Sequence, residues 1–176
     1  SNTIQIKWIE VNQMNKQFEG KVAFISGGTS GLGKATVYEL VKRGARVIFV
    51  GRDDAKAQEV INKCKELGGE AEYKNCDITK HQNVIDVFGY IRERYGKLDF
   101  AGNVAGTGIP STQIDDTTDD QIDMMIDINL KGLIYCMIEE IKIMREHSFG
   151  RIVNIASGAA NIGAPGMAVL AASKAG

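Results

Sequence analysis

The chain alternates between two spacings of apolar residues. Short β-prone segments at Val22–Ser26, Arg46–Val50, Ala71–Asn75, Leu98–Asn103 and Arg151–Ala156 read as strands. Between them, apolar residues recur at helical spacing over about Gly31–Arg43, Ala55–Leu67, His81–Tyr95 and Thr118–Glu146. Gly44 and Gly68 stand where left-handed helix C-caps belong. Strand and helix in regular alternation predict an α/β fold of the Rossmann type, a doubly wound parallel sheet covered on both faces.

The last helical stretch carries Ile122, Met125, Ile126, Leu130, Leu133, Met137, Ile141 and Met144, a broad apolar stripe expected to face the core. The same stripe would also suit a partner subunit. Gly106–Thr118 is the one substantial loop, and it follows the fourth strand, at the sheet end where open α/β sheets bind ligands. Residues 1–19 stand apart as an N-terminal arm, with Ile4, Ile6 and Trp8 alternating as in a short strand. Residues 20–176 form a single domain.

The first strand runs into a glycine turn and then a helix: Lys21-Val-Ala-Phe-Ile-Ser-Gly-Gly-Thr-Ser-Gly-Leu-Gly-Lys34. Such a turn brings backbone amides and the positive end of a helix dipole to an anion, and Gly27, Gly31 and Gly33 allow close approach. Two phosphate-binding designs compete. The Walker A spacing fits from Gly28 to Lys34, but Ala35 stands where a magnesium-binding hydroxyl is needed and Thr36 comes one place late. A dinucleotide site instead needs a discriminating residue about 20 positions on, at the end of the second strand. Arg46-Val-Ile-Phe-Val-Gly-Arg52-Asp53 supplies one.

Composition narrows the rest. With 44% apolar and 24% charged residues, the membrane, fibrous and disordered classes are excluded, and 22 acidic against 21 basic residues leave no global field for nucleic acid. Cys64, Cys76 and Cys136 lack the spacing of zinc or redox sites and read as buried thiols in a reducing, cytoplasmic setting. No apolar run reaches the ~20 residues of a membrane span. His81 and His147 lie outside every motif, so no metal site is expected.

These motifs together resemble the classical short-chain dehydrogenase/reductase family, over almost everything after Phe18. Ser26-Gly-Gly-Thr-Ser-Gly31-Leu-Gly33 resembles its Thr-Gly-x-x-x-Gly-x-Gly turn, with Ser for the leading Thr. Asn103-Val-Ala-Gly106 resembles its Asn-Asn-Ala-Gly motif, and Cys76-Asp77-Ile78-Thr79 its turn beside adenine. Asn129 sits like the family's helix asparagine, and Arg151-Ile-Val-Asn-Ile-Ala-Ser157 like the strand ending in its serine. The resemblance implies hydride transfer between a nicotinamide and a small carbonyl or secondary alcohol. It places Gly27, Thr29, Ser30, Gly31, Leu32 and Gly33 at the pyrophosphate, and Asp77 and Ile78 beside adenine. Asn103, Ala105 and Gly106 follow the fourth strand along the coenzyme, and Asn129, Ser157 and Lys174 stand at the reacting end. Family members commonly form homodimers or homotetramers through the long helix.

Two departures qualify these implications. Leu170 occupies the position of the family's tyrosine acid/base, four residues before Lys174, and no tyrosine follows Tyr135. A leucine moves no proton, and general acid/base groups are worth about 10²- to 10⁴-fold in rate, so an impaired reductase is expected. Further, the family continues through two more strands beyond the lysine, whereas Gly176 is two residues past Lys174. At the second strand's end Gly51 takes the place of an NAD-selecting carboxylate and Arg52 follows, which favours NADP(H) over NAD(H). Asp53 reads as the next helix cap. Two functional readings stay open, a disabled oxidoreductase and a non-catalytic dinucleotide-binding subunit. A nucleoside triphosphatase reading fails at Ala35.

Overall fold

A computed structural model of the protein describes residues 16–176. The strand expected around Ile4, Ile6 and Trp8 lies outside the described residues. Five strands, β1 (Val22–Ser26), β2 (Arg46–Gly51), β3 (Ala71–Asn75), β4 (Phe100–Asn103) and β5 (Arg151–Asn154), form one sheet in the order β3-β2-β1-β4-β5. Every pairing is parallel. Successive residues of β1 and β2 feed opposite faces, which is why these strands read as continuous apolar runs. Val22, Phe24, Ile48 and Val50 meet α3 (His81–Tyr95) through Val84, Val87, Phe88 and Ile91. Ala23, Ile25, Val47 and Phe49 meet α1 (Gly31–Lys42) and α2 (Asp54–Glu66) through Val37, Val41, Ala57 and Val60.

Gly44 (φ 86°) and Gly68 (φ 82°) take the left-handed conformation anticipated for them. Phe18, assigned to the arm, packs its ring edge on Phe100 at 5.1 Å and donates its N–H to Arg43 O, so packing begins before residue 20. The fourth strand is shorter than expected because Leu98 and Asp99 precede it. Asp99 accepts from Val22 N at 2.9 Å, and its N–H returns a bond to Val22 O. The fifth strand likewise stops at Asn154 rather than Ala156.

The largest correction concerns the long helix. It is broken into α4 (Asp119–Ile126), a π-helical turn over Asp127–Gly132, and α5 (Leu133–Glu146). Each wide turn adds a residue, and one residue rotates the downstream face by about 100°. Met125 and Met144 of the expected stripe are buried, but Ile141 is exposed, and Cys136, Glu139, Glu140 and Ile143 fill the core side. The turn also seats Gly132 on Ile78, where a Cβ would meet the isoleucine side chain at 2.7 Å. Ile134, Ile138 and Ile141 are left on the outer face of α5. Helix α6 (Ala168–Ala175) carries the Leu170–Lys174 segment. No described helix is long and apolar enough to cross a membrane.

Asp99 ties the base of β1 to β4 and also holds Lys21 at 3.0 Å and Lys97 at 3.1 Å. Burial alone would raise its pKa, but the bonds from Val22, Lys21 and Lys97 outweigh it and hold the carboxyl below the usual 3.8. A depressed folded-state pKa means the contribution is complete above the ordinary value and is lost as pH falls through the folded one. Asp99→Ala is therefore expected to cost about 1.5–3 kcal/mol at pH 7. Urea titration should show that gap narrowing as pH falls below 3.8.

Candidate active site

The carboxyl ends of β1, β2 and β4 converge on a cleft of about 170 Å³, lined by Gly27, Arg52, Asp77, Ile78, Ala105 and Gly106 from the expected set. Val50, Gly51, Cys76, Thr107 and Ile128 complete its walls. The floor is made by close backbone approach. Gly27 has φ 68°, and a Cβ there would lie 2.8 Å from Ala105 Cα. Ser26, the residue that replaces the motif's threonine, accepts from Val104 N at 3.0 Å and Ala105 N at 3.1 Å, so its hydroxyl ties the turn to the end of β4. Ser26 has no role of its own in the sequence reading; the available signal is a hydroxyl residue at that place in the motif.

Gly31 has φ 50° and open space where a Cβ would be, and Ser30 at the N-cap of α1 makes no side-chain capping bond. The first amides of α1 thus have no capping side chain, the arrangement in which a helix start can receive an anion. Gly33 does something other than admit a ligand: a Cβ on it would sit 2.2 Å from Gly27 O, so it lets α1 pack on the turn. Leu32 is exposed, and Thr36 donates its hydroxyl to Leu32 O, away from any metal-binding geometry.

Beyond the end of β3, Asp77 Oδ1 accepts from Thr79 N (3.0 Å) and Thr79 Oγ1 (2.8 Å), which closes the turn. A Cβ at Gly51 would meet Thr29 Cγ2 at 2.7 Å, so Thr29 fills the place of a side chain there. Asp53 caps α2 through Lys56 N at 3.0 Å and pairs with Lys56 Nζ at 2.9 Å, as the sequence suggested. Asp54 accepts from Tyr73 Oη (2.8 Å) and Asn75 Nδ2 (2.7 Å). Arg52 is exposed at the cleft and forms no ion pair among the described residues.

At the opposite end, Asn129 lies in the π-helical turn. Its amide clamps Thr107, accepting from Thr107 N at 2.8 Å and donating to Thr107 O at 2.9 Å and to Ser173 Oγ at 3.0 Å. Ser173 is a contact the sequence reading missed. Lys174 donates to Ile155 O at 3.0 Å, and burial lowers its pKa. A Cβ on Gly106 would meet Lys174 Nζ at 3.0 Å and Asn129 Oδ1 at 3.3 Å, so these three residues do come together.

Ser157 stands past β5 with its Oγ accepting from Ala159 N at 3.2 Å, and no hydrogen bond joins it to Asn129 or Lys174. Leu170 helps line a small hollow with Ile109, Met125 and Met167. Asn103 is buried beneath the cleft rather than lining it, donating to Asn154 and Glu140. Burial pushes the Cys76 thiol up to about 11, so at neutral pH the cleft presents a thiol and not a thiolate nucleophile. No cluster of potential metal ligands occurs among the described residues.

A parallel sheet wound on both faces, with a glycine-floored cleft at its carboxyl edge, defines a Rossmann-type nucleotide-binding protein. The model of the short chain dehydrogenase family matches residues 21–176, and the chain belongs to that family. It is similar to a 3beta-hydroxysteroid dehydrogenase of Mediterraneibacter gnavus, 38% identical over 90% of this chain and 57% of that protein. An uncharacterized oxidoreductase of Thermotoga maritima is 32% identical over 90% of this chain and 62% of its own length. Among solved structures, an NAD+-bound xylitol dehydrogenase superposes with TM-score 0.87 at 29% identity, covering 91% of this chain and 62% of that one. A metagenomic short-chain oxidoreductase in complex with NADP gives 0.85 at 29% identity, covering 89% and 71%. The chain thus spans about 57–62% of the length of these two sequence relatives.

Removing the Asn129 clamp leaves the Thr107 amide and carbonyl without their partner. Asn129→Ala is expected to lower unfolding free energy by about 1–3 kcal/mol, read by denaturant titration with an unchanged slope.

Proposed function

We propose that this chain is the coenzyme-binding part of an NADP(H)-preferring oxidoreductase that interconverts a carbonyl and a secondary alcohol. The observation that carries the coenzyme preference is the disposition of charge after β2. Both nearby carboxylates, Asp53 and Asp54, are held by other partners, while the Arg52 guanidinium has no anionic partner among the described residues. A 2′-phosphate supplies that partner, and a guanidinium recognises it through two parallel hydrogen bonds. Gly51, with Thr29 against it, offers no carboxylate for the ribose hydroxyls of NAD. Relatives named for a hydroxysteroid and for xylitol support a hydroxyl-bearing substrate.

The nicotinamide supplies the hydride; the protein's part is to hold the reactants and manage a proton. The backbone after β1 and the start of α1 hold the pyrophosphate, through Gly27 and the amides from Gly31 onward. Thr29, Ser30, Leu32 and Gly33 shape that turn, and Asp77 with Ile78 borders the adenine. Ala105 and Gly106 carry the chain along the coenzyme, with Ala105 held from the β1 turn by the Ser26 hydroxyl and Asn103 buried beneath them. Lys174 and Asn129, both against Gly106, would stand at the nicotinamide end, and Ser157 would donate to the substrate oxygen. With Leu170 among apolar neighbours, no side chain at that position delivers the proton, so turnover is slow. Two copies pair through Ile134, Ile138 and Ile141 of α5.

Leu170 also favours a second reading, a dinucleotide-binding subunit without catalysis. Installing the acid separates the two. Leu170→Tyr should raise the rate of NADPH oxidation on a panel of ketones by at least about 10²-fold. Unchanged turnover despite undiminished NADPH affinity would establish the binding subunit. For the coenzyme itself, Arg52→Ala is expected to weaken NADPH binding by roughly 10- to 100-fold, the worth of a charged hydrogen-bonded contact, and to leave NADH binding unchanged in calorimetry.

A further inference from the structure

Behind the cleft, where β4 and β5 end, one acidic side chain is wholly enclosed. Glu140 on α5 is 0% exposed, and its Oε2 accepts from Asn103 Nδ2 at 3.1 Å. The same nitrogen donates to Asn154 Oδ1 at 3.0 Å, which uses both of its hydrogens. Two buried acceptors in this cluster, Glu140 Oε1 and Asn103 Oδ1, then have no donor.

The surroundings do not supply one. Lys142, two residues on along α5, and His81 of α3 are both directed to Glu139. Asn154 Nδ2 on β5 is directed at Met137 Sδ. The thiols of Cys136 on α5 and of Cys76 after β3 are raised by burial and remain neutral, with Asp77 and Asp86 acting on Cys76 in the same sense. Burial carries the Glu140 carboxyl up to about 7, and only the Asn103 bond opposes it.

An enclosed carboxylate without a cation and two orphaned acceptors are each costly. A single proton on Glu140 answers both, because the neutral acid is a donor as well as an acceptor. We infer that Glu140 is a positioning residue, kept as the neutral acid, whose proton bonds Asn103 and locks helix α5 to the ends of β4 and β5. Those two ends lead directly into the site. Beyond β4 come Ala105 and Gly106 of the cleft, and beyond β5 comes Ile155, whose carbonyl holds Lys174.

The sign of the pH effect follows. A carboxyl raised from its ordinary 4.5 to about 7 favours the folded state fully below the lower value, and this contribution disappears as pH rises through the upper one. Glutamine at 140 retains a donor at every pH. The folding constant of the wild-type protein relative to Glu140→Gln should fall by roughly tenfold per pH unit across that window and level off above it. Infrared spectra of wild type should contain a protonated-carboxyl band that titrates near pH 7 and is missing in Glu140→Gln.

Glu140→Ala should be less stable than Glu140→Gln at pH 5. Resting on the coenzyme reading, NADPH affinity of wild type should weaken several-fold above pH 7 while that of Glu140→Gln stays level. A carboxylate band at pH 6, equal pH dependence in wild type and Glu140→Gln, or equal stability of the Gln and Ala variants would each overturn the inference. The infrared and unfolding measurements decide it even if NADPH does not bind.

Discussion

The carbonyl of Gly27 lies so near the first turn of α1 that a methyl group at Gly33 would be 2.2 Å from it, and a methyl at Gly27 would itself strike Ala105 at 2.8 Å. Three stretches of main chain are thereby pressed together without side chains between them. Ser26 fastens the contact with its hydroxyl, taking two amides from the chain after β4. The close seating of α1 on the turn, and of the turn on the chain after β4, follows from this crowding. A side chain at Gly33 would push α1 off the turn and carry its uncapped amides away from the position an anion would occupy, and one at Gly27 would push the turn off the chain after β4.

Much of this arrangement was legible in the sequence because glycine and strand signals are local. The left-handed glycines at 44 and 68 and the five strands follow from patterns a few residues long. So does the cap at Asp53, which needs only a short polar side chain placed before a helix. The family resemblance rested on the same local features, and residues 21–176 do match the family. By contrast, the inward face of α5 depends on a single extra residue in the Asp127–Gly132 turn, and no periodicity in the chain announces it. The apolar stripe therefore pointed to Ile141 where the fold buries Glu140 and Ile143. Gly33 was legible as a required glycine but not for its reason. Its neighbour is another backbone segment, and sequence spacing alone cannot tell that from a ligand.

Position 129 shows what the wide turn accomplishes. An asparagine there reaches both the amide and the carbonyl of Thr107 and still bonds Ser173 on α6. One side chain thus joins the loop after β4, the broken helix and the helix bearing Lys174. π-helical turns often mark sites where geometry matters more than regularity, and this one holds the nicotinamide end of the proposed site together.

The contact between Thr29 and Gly51 has a consequence for how such a cleft can change over time. Any residue larger than glycine at 51 needs Thr29 to rotate or shrink first, since its branched methyl already occupies the space. An acidic replacement arriving alone would meet a steric penalty before it could offer any advantage to a different ligand. Selectivity at this edge of the cleft is accordingly a property of two positions together, since a change at 51 is felt first by the side chain at 29.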